Sequence, residues 1–319
     1  MSKQVDEKEA WELMQRARHI VLVSHIGPDG DTLGSTLGLY HALRHTGKEV
    51  TCLVDDTLPA AYHFLPGISA YKHPIEGEKL PCDLLVVVDA SSEDRMGKCR
   101  EVLEDAPVLN IDHHISNTHF ADYLLLDAKA AAVGEIMVRL LQKNHVPLDE
   151  EIATCLYTAI VTDCGYFKYA NTTPDCMRAA ADLLACGIQP DSISDLLEMK
   201  ARNSVELLAK VLPSLTFYAE GKIATLEVPH ALYDKNISTE SFIYQPRYIE
   251  GVDVAILFKE VEPKATRVSM RSKRVDVSQV ALQFHGGGHA KAAGCTIGAP
   301  LAEAKQQLLQ AVIAAMETI

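Results

Sequence analysis

The chain has no C-x-x-C pair, no long apolar run, little aromatic content and no excess of basic charge. Its eight cysteines, at 52, 82, 99, 155, 164, 176, 186 and 295, are scattered, which argues against a zinc ribbon or a dithiol redox motif. Reduced, mostly buried thiols in a cytosolic protein are the plainer reading. No apolar stretch approaches the ~20 residues that span a bilayer. The opening MSKQVDEKEAW lacks a basic-then-apolar signal, so a cytoplasmic protein without a membrane partner is expected. Lys and Arg total 30 against 43 Asp and Glu, a formal net charge of −13. Proteins that coat long nucleic acid are usually basic, because phosphate neutralisation dominates their affinity. A long duplex is therefore excluded as partner, whereas a short phosphorylated molecule is not. One Trp and 6% aromatics leave little for a stacking platform.

What is present is a series of acidic and histidine clusters, most of them where an apolar run ends. Residues 20–25 (IVLVSH), 49–54 (EVTCLV), 84–89 (LLVVVD) and 107–112 (PVLNID) read as buried parallel strands. Helical patterns at 32–47 and 130–144 lie between or after them, and Gly47 is a helix stop. This alternation predicts an α/β fold with a doubly wound parallel sheet over residues 1–190. Ligands in such sheets gather beyond the carboxyl ends of the strands, where His25, Asp89 and Asp112 are expected to converge. The prolines around 191–213 flank a charged helical connector. Residues 214–319 then read as a smaller, mixed α+β domain with strands in LTFYAE, KIATLEV, VDVAILFKE and ATRVSMRS. The active site is expected in the cleft between the two.

Each cluster has an ordinary explanation when taken alone. Asp29 and Asp31 flank Gly30 after a strand and could simply cap the following helix. Asp89 ends LLVVV and could cap a turn, or it could offer one oxygen to each of two ions. In Asp112-His113-His114, adjacent side chains on an extended segment point to opposite faces, so the histidines should do different jobs. Asp112 could orient one imidazole and fix its tautomer. Asp163 ends the apolar helix IATCLYTAIVT, where the negative pole disfavours a carboxylate unless a cation is near. Together these groups offer oxygen and imidazole without thiolate, the ligand set of a hard or borderline divalent metal.

The second domain carries a different signal. Ser269-Met270-Arg271-Ser272-Lys273-Arg274 ends a strand, and Gly286-Gly287-Gly288-His289 leads toward a small-residue helix expected from Ala290 to Gly294. Consecutive glycines let backbone N–H groups approach an anion, and Arg271 offers a planar fork for phosphate. Residues 247–291 hold eight Lys and Arg against five Asp and Glu. A flexible turn is the alternative for the glycines. His41, His63 and His145 have no clustered partner and are read as ordinary surface or core residues.

The motifs H-x-x-PDGD at 25–31, an apolar run ending in Asp89, Asp112-His113-His114 and the later Asp163 resemble those of the DHH phosphoesterases. The GGGH segment after an RSK strand resembles their accessory DHHA1 domain. The resemblance covers essentially the whole chain, and order and spacing are most similar to the NrnA-like oligoribonucleases and pAp phosphatases. It implies a phosphoester hydrolase with two Mn²⁺, for which Mg²⁺ or Co²⁺ could substitute. His25, Asp29 and Asp89 would hold one ion, and Asp31, Asp89, His113 and Asp163 the other. His114 would contact the scissile phosphate, with Asp112 and Asp89 completing the catalytic set. Ser269, Arg271, Lys273, Gly286, Gly287, Gly288 and His289 would grip the far phosphate or nucleotide end. His285 departs from the pattern, standing where relatives often carry the first of four glycines.

The implied substrates are short oligoribonucleotides such as pApA or pGpG, and pAp, cut by a two-metal mechanism in a monomer or homodimer. The second domain would close over the substrate as a length ruler. Cyclic dinucleotides are the alternative substrate. An inorganic pyrophosphatase would not need the glycine–histidine grip, and a non-catalytic nucleotide sensor would be expected to have lost metal ligands, all six of which are kept.

Overall fold

The computed structural model describes residues 2–317. They form two compact units, Met1–Met199 and Lys200–Ile319. The first contains β1 (Lys3–Gln4), α1 (Glu7–Arg16), β2 (His19–Ser24), α2 (Gly30–His45), β3 (Glu49–Leu53), β4 (Tyr71–Lys72) and β5 (Leu84–Val88). After a run of 3₁₀ turns at Glu93–Val102 come β6 (Val108–Asp112), β7 (Tyr123–Leu126), α3 (Val133–Lys143), α4 (Glu150–Asp163), α5 (Pro174–Leu184) and α6 (Pro190–Glu198). The seven strands pair in the order β1-β7-β6-β5-β2-β3-β4, and every pairing is parallel. This is the α/β fold anticipated from the alternating pattern.

The central strands are apolar at nearly every position because both faces of the sheet are covered. Ile20, Leu22, Val86, Val88, Leu109 and Ile111 share one core with Leu39 and Leu43 of α2 and with Leu156 and Ile160 of α4. On the opposite face Val21, Val23, Leu85 and Val87 pack against Met96, Cys99 and Val102. Short 3₁₀ turns, rather than a long crossover helix, therefore cover that face at this point.

Helices α2 and α4 approach closely through glycine. A Cβ on Gly34 would lie 2.4 Å from the Cys155 carbonyl oxygen, and one on Gly30 would lie 2.3 Å from Thr162 Oγ1. Gly134 on α3 has the same relation to Ala159, at 2.7 Å. These contacts fix the carboxyl end of α4 against the amino end of α2, the two places that carry Asp163 and Asp31.

The second unit contains α7 (Arg202–Val211), β8 (Thr216–Tyr218), β9 (Ile223–Val228), α8 (Tyr244–Arg247), β10 (Val254–Glu262), β11 (Ala265–Ser272), α9 (Val277–Leu282), β12 (Gly287–His289), β13 (Ala292–Ile297) and α10 (Leu301–Met316). Its sheet runs β12-β13-β11-β10-β9-β8, with only β9 and β10 parallel. Ile256, Phe258, Val268 and Met270 pack on one face with Val280, Leu308 and Val312. Ala255 and Leu257 pack on the other with Leu207, Val211, Phe242 and Ile243.

Two expectations are corrected here. The connector read at 191–213 is two helices, and each belongs to a different unit. Ile193 of α6 enters the core of the first, and Leu207 and Val211 of α7 enter that of the second. The helix expected at Ala290–Gly294 is instead the start of strand β13. Ala293, Cys295 and Ile297 are buried at alternate positions, a period of two that outweighs the helix-like small residues. Gly287–His289 pairs with Ala292–Gly294 around the two-residue turn Ala290-Lys291, so the glycine segment forms an edge strand.

Gly34→Ala should destabilise the protein by about 1–3 kcal/mol through overpacking against α4. Chemical denaturation read by far-ultraviolet circular dichroism measures it; an unchanged midpoint would show that the helices separate without cost.

Candidate metal centre and phosphate pocket

His25 follows the last residue of β2, Asp89 follows the last residue of β5, and Asp112 closes β6. These strands are neighbours, so their carboxyl ends bring the three motifs to one edge. Asp29 is the N-cap of α2, accepting from the backbone N–H groups of Asp31 and Thr32 at 3.1 and 3.2 Å. The capping explanation is thus correct as far as it goes. The same carboxylate lies 3.8 Å from His25 Nε2.

Asp89 stands at the middle. Its Oδ2 is 3.5 Å from His25 Nε2, and its Oδ1 is 3.6 Å from His113 Nε2. His113 Nε2 also lies 3.8 Å from both Asp31 Oδ2 and Asp163 Oδ2. Three sets of ligand atoms lie within 4.8 Å of one another: His25–Asp29–Asp89, Asp31–His113–Asp163 and, between these two, Asp89–His113–His114. Asp89 faces both outer sets, one oxygen to each.

The donor set fits a divalent cation. Asp89 Oδ1 is fully buried with no hydrogen-bond partner, a costly state for a carboxylate oxygen unless a cation meets it. Asp89 also has a φ of +60°, in the left-handed region that few non-glycine residues enter. Burial, followed by the charges of Asp31 and Asp29, holds its carboxyl well above the ordinary range. Burial likewise raises Asp163, and it pushes Asp31 to about 7 although His113 opposes the shift. Such shifts mark groups that need a positive partner to ionise.

Both histidines of the Asp-His-His motif turn into the site, contrary to the alternation expected of an extended segment. Strand β6 ends at Asp112, so His113 and His114 are outside it, and their rings meet edge to face at 4.8 Å. They still have different surroundings. His114 Nδ1 lies 2.7 Å from Asp112 Oδ1, so the Nδ1–H donates to that carboxylate. This bond raises the His114 pKa despite burial. Burial works against charge on Asp112, yet the bonds from His114 and Asn117 outweigh it and leave the carboxyl below its ordinary value. His114 Nδ1 also lies 3.6 Å from Asp89 Oδ1. Engaged by Asp112, that nitrogen orients the ring and is not a free ligand.

Several supporting residues had no sequence signal. Asn117 donates to Asp112 Oδ2 at 2.6 Å and to Asn110 Oδ1 at 2.8 Å. Ser35 donates to Asp31 Oδ1 at 2.9 Å, and the amides of Val133 and Gly134 at the start of α3 donate to the same carboxylate at 2.7 and 3.0 Å. Arg95 Nη2 lies 2.8 Å from His25 Nδ1.

In the second unit a cavity of about 570 Å³ is lined by Arg267, Ser269, Arg271, His285, the three glycines and residues of β13. The expected Ser269, Arg271, Gly286, Gly287 and Gly288 are therefore together. Lys273 and His289 do not line it. Lys273 points its Nζ toward the Ile249 carbonyl at 3.5 Å, and His289 is exposed on β12. Two of its glycines are required by close packing: a Cβ on Gly286 would lie 2.2 Å from the Gly294 carbonyl oxygen, and one on Gly288 2.5 Å from that of Ala292. His285 has a φ of +56°, a conformation histidine tolerates better than most residues.

A family model described as the DHH family, N-terminal domain, matches residues 19–160, and one for the DHHA1 domain matches 227–318. A bifunctional oligoribonuclease and PAP phosphatase NrnA from Thermus thermophilus is 34% identical, over 98% of this chain and 97% of that protein. This chain belongs to the DHH phosphoesterase family. A Bacillus subtilis protein of the same name is 27% identical over 87% of the chain and 89% of its own length. An exopolyphosphatase-related protein from Bacteroides fragilis shares the fold, with a TM-score of 0.86, 23% identity and coverage of 98% and 95%. DHH phosphoesterases are metal-dependent hydrolases, in keeping with the acidic and histidine groups assembled here. No helix among the described residues is long and apolar enough to cross a membrane.

The raised carboxyls have a consequence for metal-free protein. Their folded-state pKa values exceed the unfolded ones, so the folded form binds more protons and stability falls as pH rises. For Asp31 the window runs from about 4 to about 7. Chelator-treated protein should lose thermal stability across that window, and Asp31→Asn should flatten the slope. Adding a divalent cation at neutral pH should restore stability. Identical slopes in parent and variant would contradict this account of the cluster.

Proposed function

We propose that this chain hydrolyses short oligoribonucleotides to mononucleotides and pAp to AMP, using two divalent cations, with Mn²⁺ preferred. The observation that carries the reading is Asp89, whose two oxygens face two separate ligand groups. A carboxylate so placed suits a bridge between paired cations. Mn²⁺ is favoured over Mg²⁺ because His25 and His113 add imidazole to a carboxylate set. The relatives' names, oligoribonuclease and PAP phosphatase, agree with this substrate class.

In this reading His25, Asp29 and Asp89 hold one ion, and Asp31, Asp89, His113 and Asp163 hold the other. Cations held there would supply positive charge to the phosphoryl group and lower the pKa of a water. The chain's own residues orient the substrate. His114, oriented by Asp112, which is itself held by Asn117, presents a ring biased toward its protonated form. It donates a hydrogen bond to the scissile phosphate, where negative charge accumulates during displacement. Arg271, Ser269 and the backbone of Gly286–Gly288 receive the substrate's terminal phosphate. A planar guanidinium and glycine-exposed amides suit that anion.

A panel of pAp, pApA, pGpG, cyclic dinucleotides and pyrophosphate, incubated with Mn²⁺ and resolved by chromatography, tests the assignment. AMP from pAp and mononucleotides from the linear dinucleotides are expected. Release from pyrophosphate alone would overturn the nucleotide reading. Asp89→Ala should abolish hydrolysis even at saturating Mn²⁺, a loss on the order of 10³-fold or more; retained turnover would refute the bridge.

A further inference from the structure

The proposed terminal-phosphate pocket has a second cationic end that this role does not use. Along β11, Val268 and Met270 enter the core, whereas Arg267, Ser269 and Arg271 project to the opposite face. The pairing with β10 sets Arg267 directly opposite Lys259, Ser269 opposite Leu257 and Arg271 opposite Ala255. Lys259 and Arg267 are thus like charges on one face of an antiparallel pair, an arrangement that costs stability by itself. Lys259 is only half-exposed, and burial together with the Arg267 charge lowers its pKa.

Three other cations of the unit form ion pairs, the first being Arg202 with Glu206 at 2.7 Å. Arg274 bonds Asp253 at 2.5 Å, and Lys305 bonds Glu227 at 2.7 Å. Among the described residues, Lys259, Arg267 and Arg271 form no salt bridge. Arg271 Nη1 donates to its own strand at the Met270 carbonyl, and the exposed Glu240 acts on Lys259 only through its field. Arg267 lines the cavity and Lys259 stands beside it across the strand pair, so the two cations together offer a place for an anion.

Arg267 and Arg271 both line the cavity, with a backbone separation of about 13 Å from the rise of a strand. The cavity is therefore long enough to meet two phosphates of one extended strand. Between them the floor is nearly free of side chains, because Ser269 pairs with Gly294 and Gly294 with Gly287. A smooth trough with a cation at each end suits an extended chain that carries more than one phosphate.

We propose that Lys259 and Arg267 form a second phosphate subsite, so that this pocket binds a single-stranded oligonucleotide by an internal phosphate as well as by its end. The proposal rests on the reading of Arg271 as the terminal-phosphate residue. It makes substrate length, beyond a dinucleotide, a property the second unit senses directly.

Binding of 5′-phosphorylated di- and tetraadenylate to the full chain in the presence of a chelator tests this without hydrolysis. Fluorescence anisotropy should show the tetranucleotide bound about tenfold more tightly than the dinucleotide, with a steeper salt dependence. R267Q should bring the ratio toward one and reduce the salt slope by about one. R271Q should weaken both ligands. Arg267 is exposed, so its replacement does not endanger folding; Lys259→Gln provides a second variant with the same expected direction. An unchanged length ratio in both variants would overturn the subsite. A chain that binds with this ratio but hydrolyses nothing with Mn²⁺ would instead refute the catalytic reading and leave the subsite standing.

Discussion

One carboxylate, that of Asp89, organises the first unit. It emerges from a fully buried strand, turns through a left-handed backbone angle, and leaves an oxygen with no hydrogen-bond partner. None of these features helps the fold. Each makes sense as a cost borne for a charged ligand, because backbone strain and unsatisfied polar groups persist only where function requires them. The rest of the site is arranged around that residue. His25 approaches from β2 on one side, and the Asp-His-His segment from β6 on the other. The ends of α2 and α4 add Asp31 and Asp163.

The parallel sheet explains why so few residues can assemble so much. Adjacent strands that run the same way end on the same edge, and the loops leaving them meet there. Glycine contacts between α2 and α4 then hold the helix-borne carboxylates in register with the strand-borne ones. Further hydrogen bonds aim the individual side chains. Asn117 holds Asp112, which holds His114; Ser35 and two backbone amides hold Asp31. The second unit uses a different principle, an edge hairpin stripped of side chains beside a cationic strand.

Much of this was legible in the sequence, for identifiable reasons. Strands buried on both faces are apolar throughout, so β2, β5 and β6 stood out, and a charge ending such a run is hard to miss. Of the six candidate ligands, His25 and Asp89 stand at the ends of such strands, whereas the choice of His113 over His114 came from the family resemblance; the structure brings all six close together. What was not legible depends on three-dimensional neighbours. His113 and His114 share one side because the strand stops just before them, which no alternation rule foresees. Ala292–Ile297 is a strand because β11 is there to pair with it, while its small residues fit a helix equally well. Arg95 touches His25 from a separate 3₁₀ segment, and Lys259 meets Arg267 only through strand register. The two-helix stretch after Pro190 read as one connector because its periodicity continues across the break at Met199.

An all-parallel sheet also contains no hairpin, and that affects how the first unit comes into being. Every ladder in it joins strands whose connection must first cross over, and β1 finds its partner only when Lys3 meets Tyr123. Loop-closure entropy is therefore paid before any ladder rewards it, and such topologies fold slowly. On the ribosome, Lys3 and Gln4 must wait for Tyr123 and Leu124 to be synthesised. The opening strand is a late arrival in its own domain.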